Sequence, residues 1–148
     1  MIAFKDASEI IRFALRLEHK LKDFYDVAEV ALRSVESRRM VAVLRERLEE
    51  KLAALTAVDL RRFGRGEFMK VVPALSEDEI VPRQAIGRDA SPAQIVDGML
   101  ASEERLRRFY AEIAERLVAR EQKDLFNSLV AFKDAQLADL RQLAVPPG

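Results

Sequence analysis

The stretch Glu18-His-Lys-Leu-Lys-Asp-Phe-Tyr-Asp-Val-Ala28 occurs twice in this chain. Its second version, Glu103-Glu-Arg-Leu-Arg-Arg-Phe-Tyr-Ala-Glu-Ile113, starts 85 residues later, again with a Glu six and seven positions ahead of a Phe-Tyr pair. Sliding the whole sequence by that offset, without a gap, sets Ile10 on Ile95, Leu15 on Leu100, Leu21 on Leu106 and Leu32 on Leu117. The match continues into the next segment, with Leu44 on Leu129, Leu52-Ala53 on Leu137-Ala138 and Leu55 on Leu140. The start signals match as well. Asp6-x-x-Glu9 and Ser91-x-x-Gln94 both have the form of a capping box, in which an N-cap side chain and the residue three further on satisfy each other's free amides. A gapless register over about fifty residues marks a duplicated structural unit.

Hydrophobic periodicity says what the unit is. Ile10/Ile11, Ala14, Leu17, Leu21, Ala28, Ala31/Leu32 and Val35 recur with the 3.6-residue period of one buried helix face, predicting a helix from Asp6 to about Arg33. Glu18 and Tyr25 fall on that face. A short turn at Ser34–Ser37 makes the next helix antiparallel; that helix is expected over about Ser37–Phe63, with Met40/Val41, Leu44, Leu48, Leu52, Leu55 and Val58 inward and Gly64 and Gly66 ending it. The second pair begins at Ser91, with Pro92 at the favoured first position. Its first stripe is Ile95/Val96, Met99, Glu103, Leu106, Tyr110, Ile113 and Leu117. Its last helix, about Glu121–Leu143, uses Leu125, Leu129, Phe132, Leu137 and Leu140, and Val145–Gly148 is left as a tail.

Between the pairs, residues 64–90 lose the period, with one helical turn expected at Ser76–Ile80. A link of roughly 25 residues is long for a helix bundle, and long enough to run the length of one and begin the second pair at the opposite end. Its apolar segment Phe68–Leu75 is expected to pack across the bundle or against a partner chain. The predicted fold is therefore all-α: one domain over residues 1–148, a four-helix up-down bundle of two duplicated hairpins joined by a long crossover.

Composition excludes several function classes. The 25 basic and 25 acidic residues among 148 cancel and are interleaved, so no basic face is available to replace the counterions of a nucleic acid. There is no cysteine, hence no disulfide or thiolate chemistry. No stretch approaches the ~20 apolar residues of a membrane span and the N-terminus lacks a signal-peptide pattern, so a cytoplasmic location is the expectation. Arg61, Arg62 and Arg65, and Arg105, Arg107 and Arg108, read as solvated helix faces.

At Glu18…Phe24-Tyr25-x-x-Ala28 and Glu103…Phe109-Tyr110 the chain resembles the rubrerythrin-like branch of the ferritin-like family, over about residues 6–143. The resemblance implies a ferritin-like bundle with a di-iron centre, held by a Glu on the first helix of each pair and Glu-x-x-His on the second. Glu18 and Glu103 supply the first-helix carboxylates. The second-helix ligands are absent: the chain holds no Glu-x-x-His, and its single histidine, His19, lies about 100° round the helix from Glu18. Stripe periodicity puts Leu48 and Lys51, and Lys133 and Gln136, at the missing positions. A shifted register offers Glu50 with Ala53, but Glu50 points away from the Leu44–Leu48–Leu55 stripe and Ala53 binds nothing.

Two readings of the glutamates stand side by side. In one, Lys133 and Lys51 bring ammonium groups to a buried cluster of Glu18, Glu103, Gln136, Tyr25 and Tyr110. In the other, the lysines lay their methylenes on the core and put their heads in water, and one Glu is protonated. The expectation is a non-catalytic structural or partner-binding homodimer with an incomplete di-iron site and no tightly bound cofactor. The alternative is an iron- or other metal-binding oxidoreductase retaining a partial site at Glu18 and Glu103.

Overall fold

A computed structural model describes residues 3–58, 68–71, 80–82, 85, 87 and 90–144, without the side chains of residues 3–5, 68–71 and 144. The protein is an all-α four-helix bundle: α1 (Ala7–Ala31), α2 (Val35–Thr56), α3 (Pro92–Arg116) and α4 (Arg120–Ala144). Local chemistry sets the starts. The Asp6 carboxylate accepts from the Glu9 amide at 2.9 Å, giving one half of the expected box. At α3 both halves form, Ser91 Oγ taking the Gln94 amide at 3.1 Å and Gln94 Oε1 the Ser91 amide at 2.9 Å. Ser34 caps α2, so that helix starts two residues ahead of Ser37, and the turn shrinks to residues 32–34.

Helix α2 also ends early, at Thr56 rather than near Phe63. Leu55 is its last buried residue, and beyond it the Thr56 hydroxyl donates to the Leu52 carbonyl at 2.8 Å while the Val58 amide folds back to Leu55. There the last turn tightens and closes. Gly64 and Gly66, residues 76–79 of the turn expected at Ser76–Ile80, Arg61, Arg62 and Arg65, and the tail Val145–Gly148 lie outside the described residues.

Neighbouring helices run antiparallel. Arg45 reaches Glu29 and Lys22 reaches Glu49 across α1–α2, and Arg107 pairs with Asp134 across α3–α4. Phe13 packs edge-on against Phe109 at 5.9 Å, whereas Phe24 lies beside Gly98, so α1 and α3 are antiparallel too. It follows that α2 and α3 point the same way, and the crossover must return the length of the bundle. The crossover brings an element that periodicity does not foresee, a two-stranded antiparallel ribbon of β1 (Ala3–Asp6) with β2 (Phe68–Val71), in register Ala3 with Val71 and Asp6 with Phe68.

The core is the expected stripe with a few adjustments. Val35 and Ala31 are exposed where α1 gives way to the turn, and Phe126 rather than Leu125 is the fully buried residue of the first turns of α4. Ile80 and Ala85 of the crossover are buried against the bundle. Gly98 explains how they get there: a Cβ at that position would lie 2.4 Å from the Ala85 Cβ, so only glycine lets the crossover come this close to α3. One helical turn on, Ser102 Oγ donates to the Ile80 carbonyl at 2.6 Å in a buried bond that holds the crossover down. Among the described residues no helix is long and apolar enough to cross a membrane.

Candidate functional site

Midway along the bundle, the two halves of the repeated motif meet. Helix α1 delivers Glu18 and Tyr25 to the centre, helix α3 delivers Glu103 and Tyr110, and α4 adds Lys133 and Gln136; all six are buried. Lys133 Nζ donates to Glu18 Oε1 at 2.5 Å and to Glu103 Oε1 at 3.1 Å. Tyr110 donates its hydroxyl to the other oxygen of Glu18 at 2.5 Å. One ammonium thus bridges the first-helix glutamates of both repeats, and the cluster joins the first hairpin to the second.

Not every expected member is there. Lys51 is only partly buried and its ammonium sits 5.7 Å from the centre of the Phe132 ring rather than at a carboxylate, so it stays outside the cluster. The reason is position: Lys51 lies at the edge of the α2 stripe, where a flexible lysine reaches along the surface and sets its ammonium over the Phe132 ring. Gln136 is buried but turned to the backbone, giving its amide to the Leu44 carbonyl at 3.0 Å and leaving its own Oε1 without a partner. His19, Glu50 and Ala53 are all exposed. Leu48, the counterpart of Lys133 in the first hairpin, is fully buried.

The tyrosines, equivalent in sequence, are not equivalent in bonding. Tyr110 is hydrogen-bonded to Glu18 at 2.5 Å, whereas the Tyr25 hydroxyl and Glu103 Oε2 interact more loosely: they miss full hydrogen-bond geometry, yet Tyr25 still lowers the Glu103 pKa. They lie close enough to affect each other: burial first, then the Glu103 and Glu18 charges, push the Tyr25 pKa well up. Burial and the Glu18 carboxylate do the same to Tyr110.

Electrostatics follow from counting charges. Two carboxylates and one ammonium leave one negative charge uncompensated in a dry interior, and Glu103 carries the consequence. Its pKa is raised to about 7, by burial first and by the Glu18 charge, against the opposing pull of Lys133 and of Tyr25. For Lys133, burial pulls the pKa down, but Glu103, Glu18 and the hydrogen bonds to both outweigh it, and the net direction is up. The side chain is a charged ammonium rather than a nucleophilic amine.

The donor set does not suit the di-iron group that the motif implies. Both carboxylates are already engaged by Lys133, the α2 and α4 positions hold leucine, lysine and glutamine, and the one histidine faces outward. Among the described residues no group of three His, Cys, Asp or Glu side chains comes together to hold a metal ion. Chemically the arrangement can hold a fixed positive charge and one exchangeable proton.

Sequence periodicity finds Glu18, Glu103, Tyr25, Tyr110, Lys133 and Gln136. It misses Ser102, Gly98 and Ile80. For Ser102 and Gly98 the signal is a break in repeat symmetry, Leu17 and Phe13 standing at their places in the first copy.

No protein-family model matches the chain, and no curated protein matches it. Among solved structures, a hypothetical protein from Pyrococcus furiosus is similar with a TM-score of 0.67 at 18% identity, covering 94% of this chain and 88% of that one. That likeness is one of fold.

Proposed function

We propose that this chain is a ferritin-like, rubrerythrin-like four-helix protein without a working di-iron centre, serving as a structural or partner-binding bundle. One observation carries the reading: the positions at which the family keeps its Glu-x-x-His ligands hold Leu48, Lys51, Lys133 and Gln136, none of them a carboxylate or imidazole. Iron needs ligands that neutralise its charge and complete its geometry, and two glutamates from facing helices do neither. The proposed assembly is a cytoplasmic homodimer. Light scattering at high micromolar concentration should give twice the 16.8 kDa chain mass; a monomer there removes that part of the reading.

The test of the main reading is metal content. Protein purified aerobically, then treated with ferrous iron and desalted, should retain far less than one iron per chain and show no carboxylate-bridged absorption band. A second reading, a metal-binding oxidoreductase with a partial site, draws support from Glu18 and Glu103 reaching one common point in the core. Stoichiometric iron that is lost in Glu18→Gln would decide for it.

A further inference from the structure

We propose that Glu18 and Glu103 form a binding site for one primary ammonium ion, which the chain fills with its own Lys133, so that this side chain locks the first hairpin to the second. The proposal deepens the reading above and rests on it in one respect, that the carboxylate pair is not a metal centre.

Geometry is the first argument. Nζ lies 2.5 Å and 3.1 Å from its two carboxylate oxygens, within hydrogen-bonding reach of both and on either side of the ~2.7–2.9 Å typical of charge-assisted N–H···O bonds. Preorganisation is the second. Tyr110 holds Glu18 Oε2 in place, which aims Oε1 at the ammonium. Enclosure is the third. Lys133 is 0% exposed, as are Leu44 and Leu48 of α2, and the Phe132 ring centre lies 5.3 Å from Nζ. An unpaired ammonium in such a place costs several kcal/mol, so its presence requires the carboxylates just as they require it.

The internal repeat supplies the fourth argument. The same position in the first hairpin is Leu48, so the fold itself has no need of lysine there. What distinguishes the second hairpin is that its residue meets both glutamates. A single cation answers two carboxylates from two copies. The ligand class follows from the donors: a primary ammonium, with its several N–H groups, can serve both glutamates at once, whereas a quaternary ammonium has none.

The experiment is chemical rescue in the full chain. Lys133→Ala removes the side chain beyond Cβ, an absence that n-propylammonium matches in length and charge. The variant should lose at least about tenfold in its folded-to-unfolded ratio, and n-propylammonium chloride should restore stability in a saturable way. Tetramethylammonium chloride at equal ionic strength should not. Rescue should vanish in Glu18→Gln/Glu103→Gln/Lys133→Ala. Should Lys133→Ala not fold by itself, Lys133→Met provides a second arm: adding Glu18→Gln and Glu103→Gln must make it more stable, because the stranded charges are gone. The proposal is overturned if Lys133→Ala is as stable as the parent, if the two ammonium salts act alike, or if the neutralised triple variant is no better than Lys133→Met. An iron-free native protein with any of these three results sinks the ammonium site alone and leaves the non-catalytic reading standing.

Discussion

The two hairpins share a scaffold and differ at the centre. Glu18 and Tyr25 have counterparts in Glu103 and Tyr110, and the leucine stripes superpose, but Leu48 corresponds to Lys133, Lys51 to Gln136, Phe13 to Gly98 and Leu17 to Ser102 across the repeat. Positions that code for shape are kept in both copies, because each hairpin must bury its own apolar face. Positions with a task that exists once have diverged. There is one core centre, so one copy carries the cation; there is one crossover, so one copy carries the glycine notch and the serine that receive it. The difference teaches that duplication fixes a scaffold and leaves the unique contacts to be assigned to one copy or the other.

The comparison is broken hardest by making the halves alike. Lys133→Leu, which copies Leu48 into the second hairpin, strands two buried carboxylates and should cost about 3–5 kcal/mol by urea unfolding. A loss below about 1 kcal/mol would mean that the ammonium is not what holds the carboxylates. Next in size is the effect of pH. Native Glu103 keeps its proton up to about pH 7, whereas the unfolded chain keeps it only through the ordinary carboxylate range. Between those values the native state binds the extra proton, so this contribution is complete at acid pH and is lost as pH rises through 7. Relative to Glu103→Gln, stability should fall by on the order of 3 kcal/mol between about pH 4.5 and about pH 8. Parallel curves for the two proteins would exclude a buried acid at this position.

The tyrosines sharpen the contrast further. Tyr110→Phe removes a hydrogen bond to a charged partner and should cost about 2 kcal/mol, while Tyr25→Phe removes only a looser interaction with Glu103 and should cost about 1 kcal/mol or less. Equal losses would show that the two halves are bonded alike. The smallest effect on the comparison belongs to Lys51→Ala, expected at about 0.5 kcal/mol because an ammonium over an aromatic ring at the edge of the core contributes little. Chemical denaturation of each variant at one pH settles the order.

Much of this is legible in the chain. The repeat offset and the leucine stripes give four helices, and the caps at Asp6 and Ser91 place two of their starts, because both signals are local. Helix α2 stops about seven residues earlier than its pattern suggests, its end marked by a Thr56 back-bond rather than by the nearest glycine. The β1–β2 ribbon escapes sequence reading because its strands, four residues each, are distant along the chain and neighbours only in space. At the centre, periodicity places both lysines near the stripe, and packing decides that Lys133 is fully buried while Lys51 is only partly so.

What the sequence determined by itself is the repeated amphipathic hairpin and the set of polar residues on its inner faces, since helix periodicity and capping are properties of neighbours along the chain. What only the tertiary structure decided is which of those residues meet. Lys133 pairs with Glu18 over 115 positions and with Glu103 over 30, and Gly98 admits Ala85 of a crossover that has no period to read. Such contacts depend on how helices pack and turn about their axes, and the charge of a buried group is set by what ends up beside it.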